Sequence, residues 1–231
     1  MSEFDQYGDR YRETLEQSLG GMGSLDGALK SKLFLLDWLL GDRLRDSAFR
    51  MLDLGCGMGL LLNQLLQRSV TVFGADVSRR SLAVSCAPAG LSANCDGAQL
   101  GFRDGAFDCA VAACVFHHIT AARRAGVLAE LRRVLRPQGS VIIIEHNPWN
   151  PITRWVVDRC EFDQHAELIT RRQLQHTMQE NGFRKIRDGY FYTIPPLTRA
   201  LARADRMLAR LPFGAQYFGM YGIQPLSLIH I

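Results

Sequence analysis

A short apolar run that collapses into three spaced glycines and restarts as an apolar helix, RMLDLGCGMGLLLNQLLQ from Arg50 to Gln67, restricts this chain more than any other feature. Met51 to Leu54 read as a buried strand, the glycines at 55, 57 and 59 as a turn, and Leu60 to Gln67 as a helix. Such a turn leaves backbone N–H groups facing a crevice with no side chains in the way. In a doubly wound sheet a ligand lies there, outside the carboxyl end of the first strand.

The flanking segments supply the rest of an α/β pattern. Upstream, Phe4, Tyr7, Tyr11 and Leu15 fall on one face of an N-terminal helix, either a stripe packed on the domain or a lid over a ligand. Glycines 20, 21 and 23 end it, and a second helix spans Leu25 to Leu40. Downstream, Val70 to Ala75 predict a second strand ending on Asp76, about 20 residues beyond the glycine turn, where an acid reaches a ribose hydroxyl. A third strand near Leu91 to Cys95 leads to Asp96, Gly97 and Ala98, placed to bond the exocyclic amine of a base. Phe107 to Phe116 run apolar on both faces, as a central parallel strand must, and end at His117 and His118. At a strand end two adjacent residues point to opposite sides, so at most one of these histidines is expected to face the crevice.

A helix follows over Thr120 to Leu135 and is ended by RPQG, and a fifth strand, Ser140 to Glu145, carries His146 and Asn147 at its tip. Ile152 to Phe162 look helical, and Thr170 with Gln173 form a T-x-x-Q capping box for a helix that Asn181 and Gly182 close. Phe183 to Arg187 and Ala215 to Tyr221 read as the sixth and seventh strands. Between them, a helix over Leu197 to Leu211 places arginines 199, 203, 206 and 210 on one face and residues 197, 201, 204, 208 and 211 on another.

Composition narrows the class. At 231 residues, 47% hydrophobic, one full core can be buried. No run approaches the roughly 20 apolar residues of a membrane span and the start is polar, so a cytoplasmic protein is expected. The six cysteines show no C-x-x-C and no His partner at metal-ligand spacing; they read as small buried hydrophobes, and no metal site is expected. A net charge of +4 is too mild for a nucleic-acid binder. The closing LSLIHI resembles the translation of a sequencing-library adapter, so residues 226–231 are set apart as non-native.

In this order, the segments resemble class I S-adenosylmethionine-dependent methyltransferases over roughly residues 45 to 221. LDLGCGMG is similar to their glycine-rich first motif, FGADVS to the acidic second, NCDGAQLGF to the adenine loop, FDCAVAACVFHHI to the fourth-strand motif and LRPQGSVIIIEHNP to the fifth. A nicotinamide dehydrogenase fits less well, because G-x-G-x-G stands where G-x-G-x-x-G is needed. The resemblance implies a Rossmann-like doubly wound sheet of seven strands, mostly parallel with the last antiparallel and helices on both faces. It further implies a helical cap over 1–45, a catalytic domain over 46–225, and insertion helices near 152–165 and 196–211. For the cofactor, Asp53, Gly55 and Gly57 would hold the methionine end, Asp76 the ribose, and Asp96 with Ala98 the adenine, with Cys56, Val77 and Gly97 also cofactor-binding. Cys114 to His117 would supply backbone beneath the methionine moiety. EHNPWNPITRWVV, CEFDQHAELI and LPFGAQYF resemble a bacterial subgroup often found near polysaccharide or lipid-carrier biosynthesis genes.

Methyl transfer from a sulfonium asks mainly for alignment, and a hydroxyl acceptor also needs its proton removed. His146, His118, His117 and Glu145 are the candidate bases, with His146 favoured because Asn147 adjoins it. With no D/N-P-P-Y/F motif and no Pro-Cys nucleophile, a small-molecule or lipid- or glycan-linked acceptor, O-methylated, is expected rather than a nucleic acid. The basic helix over 197–211 could rest on anionic membrane. The alternative from another class is a catalytically silent partner protein that binds the cofactor.

Overall fold

The computed structural model describes residues 11–21, 23–85, 91–164 and 166–224. A seven-stranded sheet runs through them in the order β3-β2-β1-β4-β5-β7-β6. Its strands are β1 (Arg50–Leu54), β2 (Thr71–Asp76), β3 (Ser92–Asn94), β4 (Phe107–Ala113), β5 (Leu135–His146), β6 (Phe183–Phe191) and β7 (Gln216–Ile223). Neighbours from β3 across to β5 pair parallel, and β7 lies antiparallel between β5 and β6. The expected Rossmann-like architecture is therefore present.

Strict alternation along the central strands divides the core. Leu52, Ala110, Val141 and Ile143 face α5 (Ala121–Val134) and α7 (Arg171–Glu180), whose Val127, Leu131, Leu174 and Met178 cover them. Met51, Val111, Ile142 and Ile144 face the other way, under α2 (Leu25–Leu40) and α3 (Leu60–Leu66). A parallel sheet must be covered on both faces, and these near-continuous apolar runs answer that requirement. The Thr170–Gln173 capping box forms as expected at the start of α7.

Besides β6, which runs on to Phe191 past the expected Arg187, four boundaries differ from expectation by more than a residue or two. β4 ends at Ala113 rather than Phe116, because Cys114 turns to φ 61 and the chain tightens into a 3-10 turn over Phe116–His118. RPQG loops out as a bulge inside β5, between the Phe107↔Leu135 and Cys109↔Ser140 pairs. The insertion after β5 splits into α6 (Pro151–Arg159) and a 3-10 turn over Glu161–Asp163.

The fourth difference is α8, which covers only Arg199–Met207 of the expected 197–211. Its inward face is set by Ala202 and Asp205 rather than by the apolar row read from the sequence. The Asp205 carboxylate accepts from the backbone N–H groups of Tyr192, Thr193 and Ile194, anchoring the helix, while Leu197 stays 82% exposed. α4 (Arg79–Ala83) and α1 (Tyr11–Leu19) complete the helices; Phe4 and Tyr7 lie outside the described residues, as do Cys86 and residues 225–231.

Candidate active site

The tips of β1, β2, β3 and β4 open into one cavity of about 620 Å³. Gly55 N–H and Cys56 N–H both donate to the Ala75 carbonyl, at 2.7 and 3.2 Å, which stitches the glycine turn to β2. At Gly57 the backbone takes φ 52 and a Cβ would meet nothing within 4 Å, so the position needs glycine for its conformation and leaves the cavity floor bare. Gly57 N–H donates to Asp76 Oδ2 at 2.7 Å and Ser78 N–H to Oδ1 at 2.8 Å. These two bonds aim the carboxylate, and each of its oxygens can accept from more than one donor.

Asp96 follows β3, where its Oδ1 accepts from Ala98 N–H at 3.0 Å and its Oδ2 pairs with Arg123. Asp76, Val77, Asp96 and Gly97 all line the same cavity, so the two carboxylates share one side of the sheet edge. Ala98 does not line it: its N–H is spent on Asp96, which makes it a brace for the loop.

The other end of the cavity is built around Asp53, Cys114, His146 and Gln216. Asp53 is 2% exposed and its Oδ2 has no hydrogen-bond partner. Burial, reinforced by Asp76, pushes its carboxyl up to about 7 despite the charge of Lys32 and a bond from Leu62 N–H. Gln216 Oε1 is likewise buried without a partner, while its Nε2 reaches Cys114 Sγ at 3.2 Å. Burial alone would raise the Cys114 thiol, but Lys32 and His146 bring it down to about 7. Two orphan acceptors and a thiol close to ionisation make this end a receptor for cationic groups. That suits an ammonium and a sulfonium, and with the carboxylates of Asp76 and Asp96 lining the same cavity the residues are compatible with S-adenosylmethionine.

The histidines depart from expectation. Because Phe116–His118 is a 3-10 turn and not a strand, His117 and His118 both line the cavity, with ring centroids 4.1 Å apart. Glu145 does not line it. Its Oε1 accepts from Val115 and Phe116 N–H, and its Oε2 lies 2.5 Å from His117 Nδ1. Burial disfavours the His117 imidazolium, yet Glu145 and Asp163 hold its pKa well above the usual 6.5. Asn147 does not orient His146, since its amide donates to the Pro212 and Gly214 carbonyls and its oxygen accepts from Trp149 N–H.

Residues 52–143 match the methyltransferase domain family. That stretch runs from β1 into β5, the strands whose tips build the cavity. Over 92 residues it is 34% identical to tRNA (carboxymethyluridine(34)-5-O)-methyltransferase alkbh8 of Xenopus tropicalis, a match covering 39% of this chain and 14% of that protein. In fold, the chain is similar to a Thermotoga maritima S-adenosylmethionine-dependent methyltransferase described as a possible histamine N-methyltransferase. The TM-score is 0.68 at 17% identity, over 96% of this chain and 98% of that one. A second likeness, at TM-score 0.63 and 17% identity, is to Haemonchus contortus phosphoethanolamine N-methyltransferase 2 in complex with S-adenosyl-L-methionine, over 97% of this chain and 60% of that one.

Lys32, Gln216 and Asp163 line the cavity and escaped sequence reasoning. Lys32 comes from α2, outside any motif, and Gln216, within LPFGAQYF, opens β7. Asp163 closes the insertion after α6, where only a search for carboxylates facing the fourth-strand tip would have found it.

Proposed function

We propose that the methyltransferase O-methylates a small acceptor with an apolar body, of the kind found in lipid- or glycan-linked intermediates. The observation that carries this is the cover of the cavity. Leu15, Leu19, Leu25 and Leu29 from α1 and α2 line it from the cap, and Val156 and Phe162 from the insertion. An apolar lining with a few convergent polar groups is the usual make-up of a small-molecule site. The subgroup resemblance of the segment after β5 supports the same acceptor class. O-methylation has support from the curated relative's 5-O position, although that protein's tRNA acceptor makes RNA the competing substrate.

In this reading Gly55, Gly57, Asp76, Asp96 and Gly97 hold the nucleoside and Asp53, Gln216 and Lys32 the amino-acid end. S-adenosylmethionine supplies a methyl group on a sulfonium. The chain's own work is alignment of the acceptor, exclusion of water by the leucine cover, and removal of the hydroxyl proton. We assign proton removal to His146, which lines the cavity at the tip of β5 and hydrogen-bonds Cys114. Glu145 is a positioning residue, fixing His117 and the turn that follows β4.

The test is S-adenosylhomocysteine release over sugars, polyprenyl-linked glycans, quinone precursors and unmodified tRNA. Turnover is expected with one of the first three classes; turnover on tRNA alone would replace this reading. His146→Ala should then lower kcat by about 10²–10⁴-fold with cofactor affinity retained. Undiminished turnover would remove His146 from the proposal.

A membrane-resting edge is a second reading, favoured by exposed Trp149 and Phe213. Asn150 Nδ2 donates to the Phe213 carbonyl, holding the two loops side by side, and Arg210 is exposed nearby in sequence. Among the described residues no helix is long and apolar enough to cross a membrane. Vesicles containing phosphatidylglycerol should sediment the protein and neutral vesicles should not; equal recovery with both would end this reading.

A further inference from the structure

One cluster beside the reacting end is not used by the methyl-transfer reading. Asp163 Oδ1 lies 3.4 Å from His117 Nε2 and 3.2 Å from His118 Nε2, and the three ligand atoms lie within 4.8 Å of one another. Donors bound to one metal ion at about 2.1 Å, in tetrahedral or octahedral geometry, sit roughly 3.0–3.4 Å apart. The two N···O distances already match.

The outer partner matches as well. A metal-ligating imidazole usually donates its second ring N–H to a carboxylate, which fixes tautomer and orientation. His117 Nδ1 lies 2.5 Å from Glu145 Oε2, and that carboxylate is itself held by two backbone N–H groups. The buried Glu145, which no substrate could touch, thereby gains a purpose.

We propose that His117 Nε2, His118 Nε2 and Asp163 Oδ1 bind one divalent transition-metal ion on the acceptor side of the cavity. Two imidazoles and one carboxylate suit zinc, iron, cobalt or manganese better than magnesium or calcium, which prefer all-oxygen sites. Three protein ligands leave coordination positions open, and His117, His118 and Asp163 all line the cavity, so those positions take an oxygen ligand from within it. The ligand class is an acceptor hydroxyl or phenol, whose proton a metal ion makes easier to remove. The metal ion would take the place of the His117 Nε2 proton, leaving the Nδ1–H on Glu145.

The experiment titrates Co²⁺ and Zn²⁺ into untagged, chelator-stripped full-length protein, following visible cobalt absorption and calorimetric stoichiometry. No acceptor is needed, so the result stands apart from the O-methylation reading. One equivalent of Co²⁺ is expected, with Zn²⁺ displacing it. His118→Asn and Asp163→Asn should each weaken binding by at least about 100-fold, and Glu145→Gln by about 10–100-fold. The exposed His176→Ala should bind as the parent does. Circular dichroism and S-adenosylhomocysteine binding establish that each variant is folded; His118, partly exposed, is the variant least able to disturb the core. Absence of stoichiometric cobalt uptake by the parent, or uptake undiminished in folded His118→Asn, would overturn the proposal.

Discussion

Asp76→Ala is expected to weaken S-adenosylmethionine binding by about 10²–10³-fold, measured by calorimetry, with the fold retained. Hydrogen bonds to a charged group contribute about 1.5–3 kcal/mol each, and a ribose offers two hydroxyls to this one carboxylate. The carboxylate also does local work: it receives Gly57 N–H and Ser78 N–H, so its loss frees the glycine turn as well as the ribose. Asp76→Asn should fall between the parent and Ala, since its amide keeps one acceptor oxygen and faces the other N–H with a donor. Affinity within threefold of the parent for Asp76→Ala would mean that no diol is bound there.

Asp53→Asn should separate stability from cofactor binding in opposite directions. Burial, with Asp76 nearby, raises the Asp53 carboxyl from 3.8 to about 7 in the folded protein. Between those values the native state holds a proton that the unfolded chain has released, so stability falls as pH rises through the window and levels off above about 7. The shift corresponds to as much as about 4 kcal/mol, an upper bound because the neighbouring charges relax. The amide carries no such penalty. At pH 8 the ligand-free Asp53→Asn protein should therefore unfold at higher denaturant concentration than the parent, and the difference should vanish toward pH 4. The same variant should bind S-adenosylmethionine at least about tenfold more weakly, because an anion facing a cationic ligand has been removed. Equal denaturant midpoints at pH 8 would contradict the charge assignment.

Much of this site was legible because the fold concentrates it in local sequence. Asp53, Gly55, Gly57, Asp76 and Asp96 each stand one to three residues past the end of an apolar strand run or within it, and parallel packing brings those ends together. What was illegible depends on backbone that leaves regular geometry. The strand rule sent His117 and His118 to opposite sides, but the positive φ at Cys114 ends the strand early and a 3-10 turn puts both rings in the cavity. Glu145 read as a base from its place at a strand tip, yet the tip curls so that the carboxylate caps the neighbouring turn. Asn147 read as a partner for His146, but the loop over Pro212–Gly214 claims its amide. The apolar row on α8 gave way to Asp205, whose three backbone donors decide how that helix docks. Lys32 arrives from an element far from the motifs, and Asp163 and Gln216 stand in segments whose likeness assigned them no role, so pattern alone could not place them.

The most direct test of the shared cavity is a crystal structure with S-adenosylhomocysteine bound. The ribose hydroxyls should lie on Asp76, the adenine amine by Asp96, and the amino-acid end between Asp53 and Gln216. A ligand seated elsewhere, or one whose ribose stands away from Asp76, would contradict the account.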